Sequence, residues 1–236
     1  MPRVVIDGRE VDVTPGSNLL AAARKLGLDI PALCYHPGCT PNTSCMACVV
    51  KVRDPDRIVP SCATLAEDGL YVESETPEIH ALRRTALELL LSDHPCREVR
   101  SDPGATAGGL GCDCDKADVC RLRKYAQLYR CDPQRFCGVR RVIERAYEHP
   151  EITYDPHKCI LCGICIQLAR QAGEPLGLTL VGRGFDVRVD VPLGGPLAEA
   201  LRVAARRCAG ACPTGALSLH AEGQRISGHR DDHSAP

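Results

Sequence analysis

Cysteine makes up 16 of the 236 residues, and most of these cysteines fall into groups whose spacing suits metal rather than disulfide chemistry. Cys34, Cys45, Cys48 and Cys62 are separated by 10, 2 and 13 residues. The Cys45-x-x-Cys48 pair lets two thiolates converge from one loop, kept compact by Ser44, Met46 and Ala47, and Cys62 returns from the next strand. Four thiolates so arranged suit a 2Fe–2S cluster. A zinc ribbon is the competing use, although it pairs its cysteines into knuckles and this set does not. Further along, Cys159-x-x-Cys162-x-x-Cys165 is the bacterial ferredoxin triplet, whose fourth ligand comes from elsewhere in the chain. Cys212-Pro213 supplies it. A two-cluster ferredoxin would repeat the pattern, but Ala169 stands four residues after Cys165, and only Cys208 survives among the places upstream of Cys212 that also hold Ala205 and Arg202. The expectation is one 4Fe–4S cluster on Cys159, Cys162, Cys165 and Cys212, with Cys208 a buried thiol.

These cysteines need a scaffold, and the rest of the sequence outlines one. Val4–Ile6 and Val11–Val13 flank Asp7-Gly8, a hairpin signal. Ser17 or Asn18 can cap a helix through Leu19–Leu26 that Gly27 ends. Val49–Val52, followed by the Asp54-Pro55-Asp56 turn, and Leu70–Glu73 read as further strands. A hairpin, a helix across it and more strands is the outline of a β-grasp domain over residues 1–75. Thr76-Pro77-Glu78 then opens a helix that keeps an apolar stripe through Leu90 until Asp93-His94-Pro95 stops it. Residues 101–111 read as a loop, with short helices expected near 120–130 and 139–148. From about 151 the expected order is cysteine triplet, helix (163–172), strand (178–191), helix (196–207) and Cys-Pro turn. Gly182-Arg183-Gly184 would lie inside that strand. Residues 220–236 are polar, aperiodic and expected to be disordered. The fold class is α+β: a β-grasp domain (1–75), a helical segment (76–150) and a ferredoxin-like domain (151–219).

Composition narrows the function. With 29 basic and 30 acidic residues, there is no positive surplus for nucleic acid. No run approaches the about 18 apolar residues of a membrane span, and the start lacks the apolar core of a secretory signal. The reading is a soluble, cytoplasmic chain, where disulfides are rare and cysteine-rich spacing means metal.

The runs Ile30-Pro31-Ala32-Leu33-Cys34-Tyr35-His36, Cys45-Met46-Ala47-Cys48-Val49-Val50 and Ser61-Cys62-Ala63 resemble the amino-terminal iron–sulfur region of the large subunit of NADH dehydrogenase (complex I). Related regions recur in the diaphorase small subunit of NAD-linked soluble hydrogenases, in iron-only hydrogenases and in NAD-linked formate dehydrogenases. The ending Cys212-Pro213-Thr214-Gly215-Ala216-Leu217 strengthens the likeness, which spans residues 1–219. It implies that Cys34, Cys45, Cys48 and Cys62 hold a plant-ferredoxin-type 2Fe–2S cluster. It also implies a middle 4Fe–4S cluster, bound in the family by a histidine after a helix and three cysteines. Ser92-Asp93-His94-Pro95 and Cys114-x5-Cys120 match that motif. Between them the pattern breaks, because Cys96 follows at once and Cys112 lies only one residue before Cys114. Two ligand sets stay open: His94 with Cys112, Cys114 and Cys120, or Cys96 with the same three. Cys39, Cys131 and Cys137 lie outside every motif.

No Gly-x-Gly-x-x-Gly follows a strand into a helix, there is no P-loop, and no nucleophile–base constellation stands out. The chain should therefore have no substrate site of its own. The resemblance implies an electron-transfer subunit of an NAD(P)H-linked oxidoreductase (hydrogenase, formate dehydrogenase or complex I-like). Its partners would be a flavin/NAD(P)-binding subunit and a catalytic oxidoreductase subunit. The alternative is a free-standing ferredoxin-like carrier, and a redox sensor ranks behind both because no Cys-x-x-Cys pair lies outside the cluster motifs.

Overall fold

The computed structural model describes residues 1–95, 119–136 and 142–220. The first unit is a five-stranded mixed sheet, ordered β2-β1-β5-β3-β4. Strands β1 (Arg3–Ile6) and β2 (Arg9–Asp12) pair antiparallel. Asp7 (φ 49°) and Gly8 (φ 76°) supply the two positive φ angles that a tight turn between twisted strands requires. Helix α1 (Leu19–Lys25) starts at Asn18, whose side chain accepts from the Ala21 N–H. It lays Leu19, Leu20, Ala22 and Ala23 against Val4, Ile6, Val50, Val52 and Val72 of the sheet. Strand β5 (Tyr71–Glu73) runs between β1, its parallel neighbour, and β3 (Val49–Arg53), its antiparallel one. This is the β-grasp arrangement. Strand β4 (Asp56–Pro60), the strand from which Cys62 returns, carries Ile58 and Val59 among polar neighbours and is held by pairing in full register with β3.

Helix α2 (Pro77–Leu91) begins as expected, with the Thr76 hydroxyl accepting from Ile79 N and proline in the first turn. Helix α3 (Arg121–Leu128) follows. The third unit comprises β6 (Ile152–Tyr154), α4 (Ile164–Gln171), β7 (Thr179–Val181), β8 (Arg188–Asp190), α5 (Leu197–Ala200), α6 (Ala205–Ala211) and β9 (Leu217–Leu219). Strands β6 and β9 pair antiparallel and close the unit end to end.

Three expectations are corrected here. Residues 178–191 are not one strand but the hairpin β7–β8, turned by Gly182 (φ 86°) and Gly184 (φ 57°). A Cβ on Gly182 would lie 2.5 Å from the Asp186 carbonyl oxygen, so the Gly-Arg-Gly run is turn chemistry. No helix spans 142–148. That segment is extended, with alternate residues turned inward. Arg145 reaches Asp190 and the carbonyls of Gly194 and Gly195, while Tyr147 meets Tyr154 edge-on, so tertiary contacts with period two override helix propensity. The helix foreseen over 196–207 breaks into α5 and α6. The Glu174 carboxylate accepts from Val203 N (2.6 Å) and Ala204 N (2.7 Å), capping α6 from outside where no polar residue stands at its start. The loop placed at 101–111, the end of the 139–148 region nearest 139, and the tail beyond His220 lie outside the described residues.

The interior forms two cores. One lies between the sheet and α1 and includes Cys48 and Cys62. The other runs from Leu33, Cys34 and Cys45 through Leu87 and Leu91 of α2 and Leu122 of α3 to Ile164, Leu168, Cys208 and Leu217 of the third unit. No helix among the described residues is long and apolar enough to cross a membrane.

Candidate metal centres

The first cysteine group is assembled by the β3–β4 hairpin and the loop before it. Cys48 immediately precedes β3 and Cys62 comes two residues after β4. The register Val49↔Pro60 sets them side by side, and Ser61 fixes the join by donating both its N–H and its hydroxyl to the Cys48 carbonyl. Met46, at φ 49°, lets the Cys45–Cys48 loop double back while its own side chain stays exposed. Cys34 Sγ and Cys45 Sγ lie 3.2 Å apart. All four cysteines are 4% exposed or less, so the sulfurs meet in a water-free place.

Their protonation shows what this donor set requires. Contact with the Cys45 thiol first, and with Cys62 next, holds the Cys34 thiol well below the ordinary thiol range. That thiolate in turn drives Cys45 and Cys62 up, because both serve as its donors. Cys48 is lowered as well, chiefly through its contact with Cys62. Four sulfurs this close cannot all ionise unless positive charge lies between them. Iron ions supply that charge, and the all-sulfur donor set fits them.

The second group lines a single cavity. Cys159, Cys162, Cys165 and Cys212 all border it, with Tyr154, Ile164, Val189, Ala216 and Leu217 completing an apolar wall. The triplet loop turns on Leu161 (φ 56°) and Gly163 (φ 72°), the latter opening α4. Cys212 closes α6, and its sulfur accepts from the Leu217 N–H at 3.4 Å. Burial pushes the Cys162 and Cys165 thiols up. An apolar cavity with four convergent sulfurs disfavours bare thiolates and fits a cluster whose irons neutralise them.

The middle group is only partly described. His94 is buried after α2 and shares a depression with Leu89, Leu90, Asp93 and the Cys159–Leu161 loop. Cys120 is buried at the start of α3, where the next residue, Arg121, donates its N–H to Pro213 beside Cys212. His94 thus borders the triplet loop, and the residue after Cys120 is bonded to the Cys212-Pro213 turn. Cys96, Cys112, Cys114 and Cys137 lie outside the described residues. Cys208 donates to the Cys165 carbonyl (3.6 Å) and Cys131 to the Arg84 carbonyl (3.8 Å). Burial raises both thiols to about 12. Cys39 is buried in the loop that docks on α4. The described cysteines form no disulfide.

Sequence reading missed the groups that join the sites. Asn42 donates through Nδ2 to the Cys162 carbonyl (3.2 Å) and to Ser44 Oγ (3.4 Å). Gln167 of α4 exchanges two hydrogen bonds with the Thr40 backbone, and Gln171 donates to Gly38. The loop 38–44 carries no periodic signal, and only the docked partner gives these side chains a purpose.

Comparisons agree with this geometry. Residues 3–77 match a family described as a 2Fe-2S iron-sulfur cluster binding domain, and residues 152–219 one described as a 4Fe-4S single cluster domain. The chain is 33% identical over 220 residues to an NADH-quinone oxidoreductase subunit of Rhizobium meliloti, covering 92% of this chain and 24% of that protein. It is also 33% identical over 227 residues to the NADP-reducing hydrogenase subunit HndD of Solidesulfovibrio fructosivorans, covering 93% and 36%. This chain thus spans about a quarter to a third of those relatives. A chain in the crystal structure of an NAD+-reducing NiFe-hydrogenase in the H2-reduced state superposes with a TM-score of 0.75 at 29% identity, covering 97% of this chain and 90% of that one. Residues 3–77 and 152–219 thus belong to 2Fe-2S and 4Fe-4S binding domain families, and the chain carrying them in this order is homologous to iron–sulfur subunits of NADH-quinone oxidoreductase and hydrogenase.

Proposed function

We propose that this chain is an iron–sulfur electron-transfer subunit of an NAD(P)H-linked, multi-subunit oxidoreductase. Cys34, Cys45, Cys48 and Cys62 hold its 2Fe–2S cluster, and Cys159, Cys162, Cys165 and Cys212 hold a 4Fe–4S cluster. Such clusters accept and release one electron at a time. The observation that carries the reading is the second core, which puts Cys34 and Cys45 of the first set and Cys162 of the last set in one continuous apolar body. Gly163 packs against Asn42, with a Cβ there falling 3.3 Å from Asn42 Nδ2. The two sulfur sets share this apolar core, and the loop 38–44 bonds to α4 beside them, an arrangement that suits an electron path. Its partners are a flavin/NAD(P)-binding subunit, which divides a two-electron donor into single electrons, and a subunit with the catalytic site.

A middle 4Fe–4S site on Cys112, Cys114 and Cys120, completed by His94 or Cys96, belongs to the same reading. Its support is that His94 borders the triplet loop and the residue after Cys120 is bonded to the Cys212-Pro213 turn. The divisions 1–75, 76–150 and 151–219 are the working domain boundaries.

The test is iron and acid-labile sulfide per chain on anaerobically prepared protein, with EPR during stepwise reduction. About ten irons support all three sites, and about six support the two outer ones alone. Cys162→Ala is expected to remove the 4Fe–4S signal and keep the 2Fe–2S spectrum. Zinc without sulfide would overturn the proposal.

A further inference from the structure

Arg83 of α2 is fully buried, at 0% exposure, and is the largest such side chain among the described residues. Its Nε donates to the Val49 carbonyl at 3.0 Å, one residue beyond Cys48. Nη1 donates to Tyr129 Oη at 2.9 Å and lies 3.3 Å from Glu75 Oε1, while Nη2 has no hydrogen-bond partner among the described residues. Arginine does not lose its proton in proteins, so this is a permanent cation inside the molecule. Taking it out of water is costly, and leaving one N–H pair unsatisfied adds to the cost. Buried ion pairs of this kind are weak contributors to stability compared with apolar residues of similar volume. Holding α2 against β3 and α3 would be served as well by a long apolar side chain.

The charge itself is what an apolar side chain would not supply. Glu75 is the only carboxylate paired with Arg83 among the described ion pairs, and 47% of its side chain is exposed. Water therefore screens the anion while the cation stays in a low-dielectric interior. The buried charge of Arg83 is bonded to the Val49 carbonyl, one residue along the chain from Cys48.

We propose that Arg83 sets the reduction potential of the first site: its buried positive charge favours the electron-bearing state of a cluster held by Cys34, Cys45, Cys48 and Cys62. The inference rests on the cluster assignment above. Reduction adds one electron and one negative charge there, with no proton moved and no bond made or broken. A fixed cation nearby stabilises the added charge and raises the potential. Arg83 acts on the site through space and is a positioning residue.

The experiment is an EPR-monitored redox titration of the anaerobically prepared full chain, comparing the wild type with Arg83→Met and Arg83→Lys. Arg83→Met is expected to move the midpoint of the 2Fe–2S signal to lower potential and leave the 4Fe–4S midpoint in place. Arg83→Lys should stay near the wild-type value. An unmoved midpoint in Arg83→Met overturns the inference, as does a lysine variant that shifts as far as the methionine one, since packing would then be the cause. Should Arg83→Met fail to fold, Arg83→Gln takes its place, removing the charge while keeping a polar N–H donor. It is expected to lower the same midpoint, and no change there also overturns the proposal. Failure of the wild type to carry iron and sulfide would instead overturn the cluster assignment.

Discussion

Sulfur chemistry at this protein's sites depends on where each thiol sits, not on how many there are. Cys34, Cys45, Cys48 and Cys62 are buried together, and an ionised Cys34 sulfur drives Cys45 and Cys62 up unless a cation intervenes. Cys208 looks similar in the sequence, four residues before Cys212, yet it points elsewhere and donates to the Cys165 carbonyl, with its thiol kept protonated by burial. Cys212→Ala and Cys208→Ala should therefore separate cleanly. The first is expected to lose the 4Fe–4S iron, measured as iron and sulfide per chain. The second should keep it and lose only packing, on the order of 1–2 kcal/mol by denaturant unfolding. Equal loss of iron in both would make Cys208 a ligand.

Helix α2 shows how one element ties the sulfur sites to the rest. The Glu88 side chain on it is buried, and it accepts from Arg84 (2.9 Å), from Arg135 (2.7 Å) and from the Asp132 N–H (2.9 Å), pinning the segment after α3 to the helix. Burial works against its charge, but the Asp132 N–H, Arg84 and Arg135 together outweigh that and hold its carboxyl below the ordinary glutamate value of 4.5. A carboxyl with a depressed folded-state pKa adds stability above its unfolded value and gives it up as acid protonates the folded form. Stability should accordingly fall as pH drops below about 4.5, towards the lower folded-state value. In Glu88→Gln that acid-dependent share should vanish, giving a flatter stability profile below pH 4.5 in denaturant titrations. A profile as steep as the wild type's would show that Glu88 is not the group responsible. The same element was legible in the sequence from Thr76 to Leu91, because cap, proline and apolar stripe are local signals. Its partner after α3 was not, because Asp132 and Arg135 become partners only when the chain folds back 44 to 47 residues later.

On the scale of the whole molecule, the loop 38–44 docks the sheet unit onto α4. Asn42 grips the Cys162 carbonyl, Gln167 clasps the Thr40 backbone from both ends, and Gln171 holds Gly38. These bonds lie towards the surface and should each contribute about 1 kcal/mol or less. Their weight is geometric, since they register one sulfur set against the other. The double variant Asn42→Ala, Gln167→Ala is expected to retain both clusters by iron analysis. It should weaken the magnetic interaction between them in EPR of the fully reduced protein, and an unchanged interaction would show that the apolar core alone fixes the spacing.

The sequence by itself determined the cluster motifs, the β-grasp order and the opening of α2, because each rests on short-range rules: Cys-x-x-Cys reach, turn glycines, helix caps and apolar periodicity. It also pointed to a single 4Fe–4S set at the end of the chain, by counting which repeat positions lack cysteine. Only the tertiary structure decided the rest. The run from Val142 and the break before α6 follow from distant partners, Asp190 and Glu174 among them, that outweigh local preference, and the β7–β8 hairpin shows as a hairpin only once Gly182 and Gly184 are seen to turn it. The buried cation at Arg83 is likewise invisible in sequence, where it reads as one more charge on an amphipathic helix. Its meaning comes from the strand beneath it, which carries Val49 and, one residue earlier, Cys48.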